Sequence, residues 1–239
     1  MINLYESPVL REVTGAVIRP GGFDLTDRGV ACCRLTRGAR VLDVGCGTGA
    51  GANRLRSRHG LAAMGLDLSA GLLREGARDH DGLPLVRGRA EALPVAGAAF
   101  DAVFCECVLS LCPEPQNVLK EFLRVLKPGG HLVLTDLYAR DAGAAAGNMA
   151  ISVQCCLQGA VDRPTGESRL TAAGFDLVLW EDHTALLRQL AAKLVWTYGS
   201  LDAFWAAVGA ADVPGAPTAS GAGGCRRPGY CLVVGRKPE

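Results

Sequence analysis

The sequence predicts an α/β domain with a doubly wound, largely parallel sheet, on three observations. Short apolar runs alternate with amphipathic stretches from Arg40 to about Asp136, the order that right-handed strand-helix-strand crossovers produce. One run, Arg40-Val41-Leu42-Asp43-Val44, ends in the turn Gly45-Cys46-Gly47-Thr48-Gly49, and Ala50 to Arg56 follow as a helix start. That is a nucleotide cradle, because Gly45 and Gly47 carry no Cβ to hold a ligand away from the backbone amides. Finally, 239 residues are enough to bury a large core.

Taken in order, residues 1–34 form an N-terminal extension. Arg19-Pro20-Gly21-Gly22 reads as a turn, and a helix runs from Asp24 to Cys33 with Thr26 or Asp24 as its cap. Phe23 is a candidate lid residue, and packing of that helix on the sheet would explain it equally well. Residues 35–138 hold strands near Arg40–Val44, Ala62–Asp67, Leu83–Val86, Phe100–Cys105 and His131–Asp136, with helices near Gly49–His59, Ala70–Asp79 and Pro115–Leu126. The last helix shows Val118, Leu119, Phe122 and Val125 on one face, and it ends at Lys127 because Pro128 disfavours helical geometry there.

Residues 139–239 change in composition. Ala139 to Ala150 reads as a loop or loose helix, Asn148–Leu157 as a helix carrying Cys155 and Cys156, and Ser168–Ala173 as a short helix capped by Gly174. A strand Phe175–Trp180 precedes the helix Thr184–Trp196, whose Leu186, Leu187, Leu190, Leu194 and Trp196 lie mostly on one side. The helix Leu201–Val208, a Pro/Gly-rich loop from Pro214 to Gly224 and a strand Tyr230–Val234 complete the chain, which reads as one domain over 1–239.

Net charge is +1, which favours neither tracking along nucleic acid nor a disordered acidic chain. No secretory start and no membrane-spanning run is visible, so a cytoplasmic location is expected. Ten cysteines without a secretory leader imply reduced thiols. Their spacings do not match a zinc site, so no metal is expected. Packing as small apolar residues would account for any one of them.

Gly45, Gly47 and Ala50 fit G-x-G-x-x-G/A, and Asp67 ends the next apolar run about 20 residues on, as a dinucleotide site also requires. Charge separates the candidates. Asp43 would repel a pyrophosphate and attract an ammonium group, so it favours S-adenosylmethionine over a nicotinamide dinucleotide.

Five segments resemble the motifs of class I S-adenosylmethionine-dependent methyltransferases, in the family's order: Asp43 to Gly49, Gly65 to Ser69, Gly88 to Pro94, Phe100 to Cys105 and Val125 to Leu134. The resemblance implies a Rossmann-like seven-stranded sheet with an antiparallel last strand and inserted helices before it. It also implies S-adenosylmethionine as cofactor, with S-adenosylhomocysteine as product. Carried over residue by residue, it implies a cofactor site of Asp43, Gly45, Cys46, Gly47, Thr48, Gly49, Asp67, Leu68, Arg89, Ala90, Glu91 and Cys105. Asp67 would accept the ribose hydroxyls and Leu68 would pack on the adenine. The family carries Asp where Arg89 stands, a departure at the adenine end. Arg89 as a surface residue and Glu91 as a helix-start charge remain alternatives.

After the fourth strand the chain reads Cys105-Glu106-Cys107-Val108-Leu109-Ser110-Leu111-Cys112. That is unlike the Asn-Pro-Pro-Tyr of enzymes that methylate amino groups in DNA or glutamine, and a small-molecule acceptor is expected. Cys107 to Pro113, Thr135 to Ala139 and Cys155 to Ala160 resemble arsenite methyltransferases. The resemblance implies Cys107 and Cys156 as thiolates for the acceptor, since trivalent arsenic is soft. A sterol, quinone or other small acceptor, a nicotinamide-dependent oxidoreductase and a non-catalytic thiol module stay open as alternatives.

Overall fold

A computed structural model describes residues 2–141, 153–209 and 227–239. In chain order its elements are β1 (Ile2–Asn3), α1 (Pro8–Thr14), α2 (Asp24–Cys32), β2 (Arg40–Val44), α3 (Ala50–His59), β3 (Ala62–Asp67), α4 (Ala70–Asp79) and β4 (Leu85–Arg87). There follow β5 (Phe100–Glu106), α5 (Pro115–Val125), β6 (Leu126–Ala139), β7 (Val153–Gln154), α6 (Arg163–Ala172), β8 (Asp176–Asp182), α7 (Thr184–Tyr198), α8 (Leu201–Ala207) and β9 (Pro228–Arg236).

Seven strands form the main sheet in the order β4-β3-β2-β5-β6-β9-β8. Pairing is parallel from β4 through β6, and β9 runs antiparallel to both β6 and β8. This is the Rossmann-like arrangement expected, with the last strand in sequence slotted between two earlier ones. Strand order reverses between β2 and β5, and the crevice outside their carboxyl ends is where such sheets bind ligands.

The central strands are buried on both faces, which is why their sequences are continuous apolar runs. Leu42, Val44, Val103 and Cys105 meet α5 and α6 through Val118, Leu119, Phe122, Val125 and Leu170. The alternate residues Val41, Ala102 and Phe104 meet α2 and α3 through Leu25, Val30, Ala52 and Leu55. A separate apolar cluster joins Leu4, Leu10, Cys155, Leu194, Phe204, Trp205 and Val208. It ties the N-terminal residues to α7 and α8, and β1 pairs in parallel with β7.

Several local expectations are corrected. Phe23, not Thr26 or Asp24, occupies the cap position of α2, without a side-chain bond, while Thr26 lies inside the helix, fully buried. At Phe23 the guanidinium groups of Arg19 and Arg54 lie 5.9 and 5.2 Å from the ring centroid. The helix expected to reach Lys127 stops at Val125, since Leu126 already pairs with Phe100 in the sheet. Cys155 and Cys156 sit after β7 on a single 3-10 turn, Cys156–Gln158, rather than in an α-helix. Pairing of β7 with the distant β1 outcompetes local helix formation there.

Trp196 stands 92% exposed. It lies two residues, about 200°, around α7 from Leu194 and so faces away from the leucine side. The expected loops from 142 to 150 and Pro214 to Gly224 lie outside the described residues. Among the described residues no helix is long and apolar enough to cross a membrane.

Candidate functional site

The reversal of strand order brings the end of β2 against the end of β5, and the first residue after β2 must be small for this to happen. Gly45 has φ +73°, and a Cβ there would lie 2.2 Å from a methyl of Val108. With that approach allowed, a cleft of about 770 Å³ opens over the turn.

Its walls include Gly45, Cys46, Gly47, Thr48, Asp67, Leu68, Arg89, Ala90, Glu91 and Cys107 from the sequence-derived set. Three of the cofactor set do not reach it. Cys105 is 1% exposed and packs in the core beneath the sheet's helices, so its expected cofactor contact is corrected. Gly49 caps α3 instead, and a Cβ there would meet Leu83 at 2.7 Å. Asp43 is buried behind the turn, where its carboxylate takes the N–H of Ala52 in the first turn of α3. It acts on the cleft through its field rather than by lining it.

Asp67 ends β3 at the cleft edge. One carboxylate oxygen accepts the N–H of Gly47 at 2.8 Å and the other that of Ser69 at 2.8 Å, and the Leu68 N–H also turns toward the carboxylate. Capping of α4 falls to Ser69, whose hydroxyl accepts from the N–H of Leu72. Burial raises the Asp67 pKa against the pull of these N–H groups. At the far end of the cleft an exposed Arg89 approaches the half-buried Glu91 to 3.5 Å.

Two groups missed in the sequence sit beside Asp43. Glu106 ends β5, buried, and meets Arg19 at 2.8 Å, and the Thr26 hydroxyl donates to it at 3.0 Å. Arg19 also donates to Thr26 at 2.6 Å, while its buried Nε has no hydrogen-bond partner. Burial pushes the Asp43 carboxyl up to about 7, the Glu106 charge adds to this, and Arg19 opposes it. Two carboxylates against one guanidinium leave the inner end of the cleft short of a positive charge. The signal was present: a carboxylate inside the apolar run Phe100 to Cys107 demands a partner.

A second cavity, about 200 Å³ and walled mainly by Leu4, Leu10, Leu187, Leu190, Leu194 and Trp205, adjoins the first. Tyr5 and Cys107 line both. Cys156 faces this second cavity, not the cleft. The two candidate thiols nonetheless come together. A bare Cα at Gly159 lets the turn Cys156–Gln158 dock on Leu109–Leu111, where a Cβ would fall 1.9 Å from the Ser110 carbonyl oxygen. The Cys156 thiol then donates to the Cys107 carbonyl at 3.2 Å. Tyr5 donates to Cys156 Sγ at 2.7 Å, and Cys107 Sγ lies 3.3 Å from the Tyr230 hydroxyl. Burial raises the Cys156 pKa well above that of a free thiol. Cys231 does not join the pair, since its thiol donates to the Asp136 carbonyl. Among the described residues no three His, Cys, Asp or Glu side chains form a metal site.

A mostly parallel seven-stranded sheet, a glycine turn at the strand-order reversal and an acid ending the neighbouring strand give the chain the Rossmann-like fold of methyltransferases. Residues 42–134 match the family described as "Methyltransferase domain". The chain is 41% identical over 103 residues to a malonyl-[acyl-carrier protein] O-methyltransferase of Enterobacter lignolyticus, covering 43% of this chain and 41% of that one. It is 42% identical over 99 residues to a demethylmenaquinone methyltransferase of Renibacterium salmoninarum, covering 41% of each. The chain thus spans about two fifths of the length of these curated relatives. Along nearly its whole length it superposes on the [4+2]-cyclase SpnF, with a TM-score of 0.74, 26% identity and coverage of 97% and 92%.

Proposed function

We propose that the protein transfers a methyl group from S-adenosylmethionine to a small, largely apolar acceptor. One observation carries this reading: the cleft over the glycine turn shares Tyr5, Ile18 and Cys107 with a separate cavity walled mainly by leucines. Bound in the cleft, S-adenosylmethionine supplies an electrophilic methyl carbon, which an acceptor lone pair takes as S-adenosylhomocysteine departs.

The remaining work belongs to the chain. Asp67 accepts the two ribose hydroxyls alongside the N–H groups of Gly47 and Ser69. Leu68, with the backbone of Ala90, flanks the adenine, and Glu91 offers its amino group an acceptor that Arg89 orients. The amides from Gly45 to Thr48 approach the amino-acid tail, whose ammonium answers the excess negative charge of Asp43 and Glu106. Arg19 faces the tail carboxylate. Holding donor and acceptor in line supplies most of the rate gain. Two relatives named for a carboxylated carrier protein and a quinone support a non-nucleic-acid acceptor.

The placing of Cys107 and Cys156 beside each other, both on the wall of the apolar cavity, favours one further acceptor, trivalent arsenic held as a dithiolate.

Thermal-shift titration with S-adenosylhomocysteine and with NAD, followed by assays of S-adenosylhomocysteine release with apolar carboxylic acids, quinols and arsenite, tests both readings. Stabilisation by S-adenosylhomocysteine alone and turnover with an apolar acceptor are expected. Stabilisation by NAD alone, or no turnover with any acceptor, would overturn the proposal. Arsenite turnover that survives Cys107→Ser or Cys156→Ser would reduce the thiols to packing groups.

A further inference from the structure

Among the nine described cysteines, Cys107 and Cys156 stand apart by their surroundings. Cys155 packs into the apolar cluster of Leu4, Phe204 and Trp205, and Cys105 is sealed in the sheet core. Cys112 donates to the Val108 carbonyl, and Cys231 to that of Asp136. Cys107 and Cys156, 49 residues apart in sequence, are brought together where the two cavities meet, with the Cys156 thiol 3.2 Å from the Cys107 carbonyl oxygen.

Cys107 also holds φ +59°, a left-handed conformation uncommon for a side-chain-bearing residue and concentrated at functional positions. That conformation turns the chain at the end of β5 so that its thiol faces both the cleft and the apolar cavity. Cys156 is buried beneath it. One thiol is therefore reachable by a small molecule, and the other is positioned to resolve it.

We propose that Cys107 and Cys156 form a reversible intramolecular disulfide, making the junction between the cavities a site of oxidative modification by low-molecular-weight disulfides of the glutathione type. In the first step the Cys107 thiolate attacks one sulfur of the small disulfide, whose S–S bond breaks and releases one thiol. In the second the Cys156 sulfur attacks the Cys107 sulfur of the mixed disulfide, passing its proton to the second departing thiolate. Two protein thiols are oxidised while one disulfide is reduced to two thiols. The new bond draws both sulfurs to about 2.05 Å of each other, removing the contacts of Cys156 with Tyr5 and of Cys107 with Tyr230. Resting on the methyltransferase reading, the consequence is loss of acceptor turnover with retention of cofactor binding, because Asp67 and the glycine turn stand apart from the pair.

Incubation of the reduced full chain with oxidised glutathione, alkylation, digestion and mass mapping test the proposal. The expected product links the peptide bearing Cys107 to that bearing Cys156 with loss of two hydrogens, and dithiothreitol restores both thiols. In Cys156→Ser the reaction stops at a glutathione adduct on Cys107, and in Cys107→Ser the Cys156 thiol stays free. Linkage of Cys107 to any other cysteine, or two free thiols after treatment that oxidises a control dithiol peptide, overturns it. The mapping needs no turnover, so a failed methyltransferase reading, seen as absent S-adenosylhomocysteine binding, is distinguished from a failed disulfide.

Discussion

Asp43 was singled out as a charge that would favour an ammonium over a pyrophosphate, yet its side chain lies behind the turn rather than in the cleft. Burial and the neighbouring Glu106 raise its pKa to about 7. Near neutral pH the ligand-free protein therefore holds part of a proton there, which a cationic amino-acid tail would expel. Affinity for S-adenosylhomocysteine should rise with pH through about 7 and level off above it, falling by up to about tenfold per pH unit below. Calorimetric titrations across that range check this, and Asp43→Asn should flatten the profile. Stability has the opposite sign. A carboxyl whose pKa rises from 3.8 to about 7 on folding stabilises the ligand-free protein at low pH, and that contribution is lost as pH climbs through the window. The partners of Asp43 were not legible in the sequence, since Arg19 and Glu106 are 87 residues apart in the chain and only the fold pairs them.

At the scale of elements, β2 and β3 match their expected bounds, because each is an apolar run closed by an acid or a glycine turn. β4 starts two residues late: Pro84 has no N–H, and its carbonyl instead accepts from Gly65. The 3-10 turn bearing Cys156 escaped a local reading because it depends on two long-range contacts, β1 with β7 and Gly159 with Ser110. α4 shows how an element can hold the ligand turn. Gly76 sits on its buried face, where a Cβ would fall 2.1 Å from the Thr48 carbonyl oxygen. Gly76→Ala gains helix propensity, but backbone cannot give way as a side chain would. A net loss of about 2 kcal/mol is expected in urea denaturation, along with weaker S-adenosylhomocysteine binding as the turn is displaced.

For the molecule as a whole, the division of labour between two adjoining cavities gives a separable test. Leu190 lines only the apolar cavity. Leu190→Phe should reduce that volume, raising the acceptor KM or lowering kcat, while the dissociation constant of S-adenosylhomocysteine stays unchanged. Equal loss in both measurements would mean that the cavities do not act separately. The sheet order and the cleft were readable because motif order along the chain maps onto strand order in this topology. The apolar cavity was not, since its walls come from the first ten residues, the 3-10 turn at Cys156, α7 and α8.

The place of β9 has a consequence for how the chain matures on the ribosome. β8 has no partner in the main sheet except β9. The first five strands can assemble as they emerge, but β8 must wait, with α7 behind it, until residues 228–236 have been synthesised. Nascent chains would then acquire a competent cofactor crevice well before they own a finished chamber for the acceptor, and quality-control proteases would find their openings in the latter half.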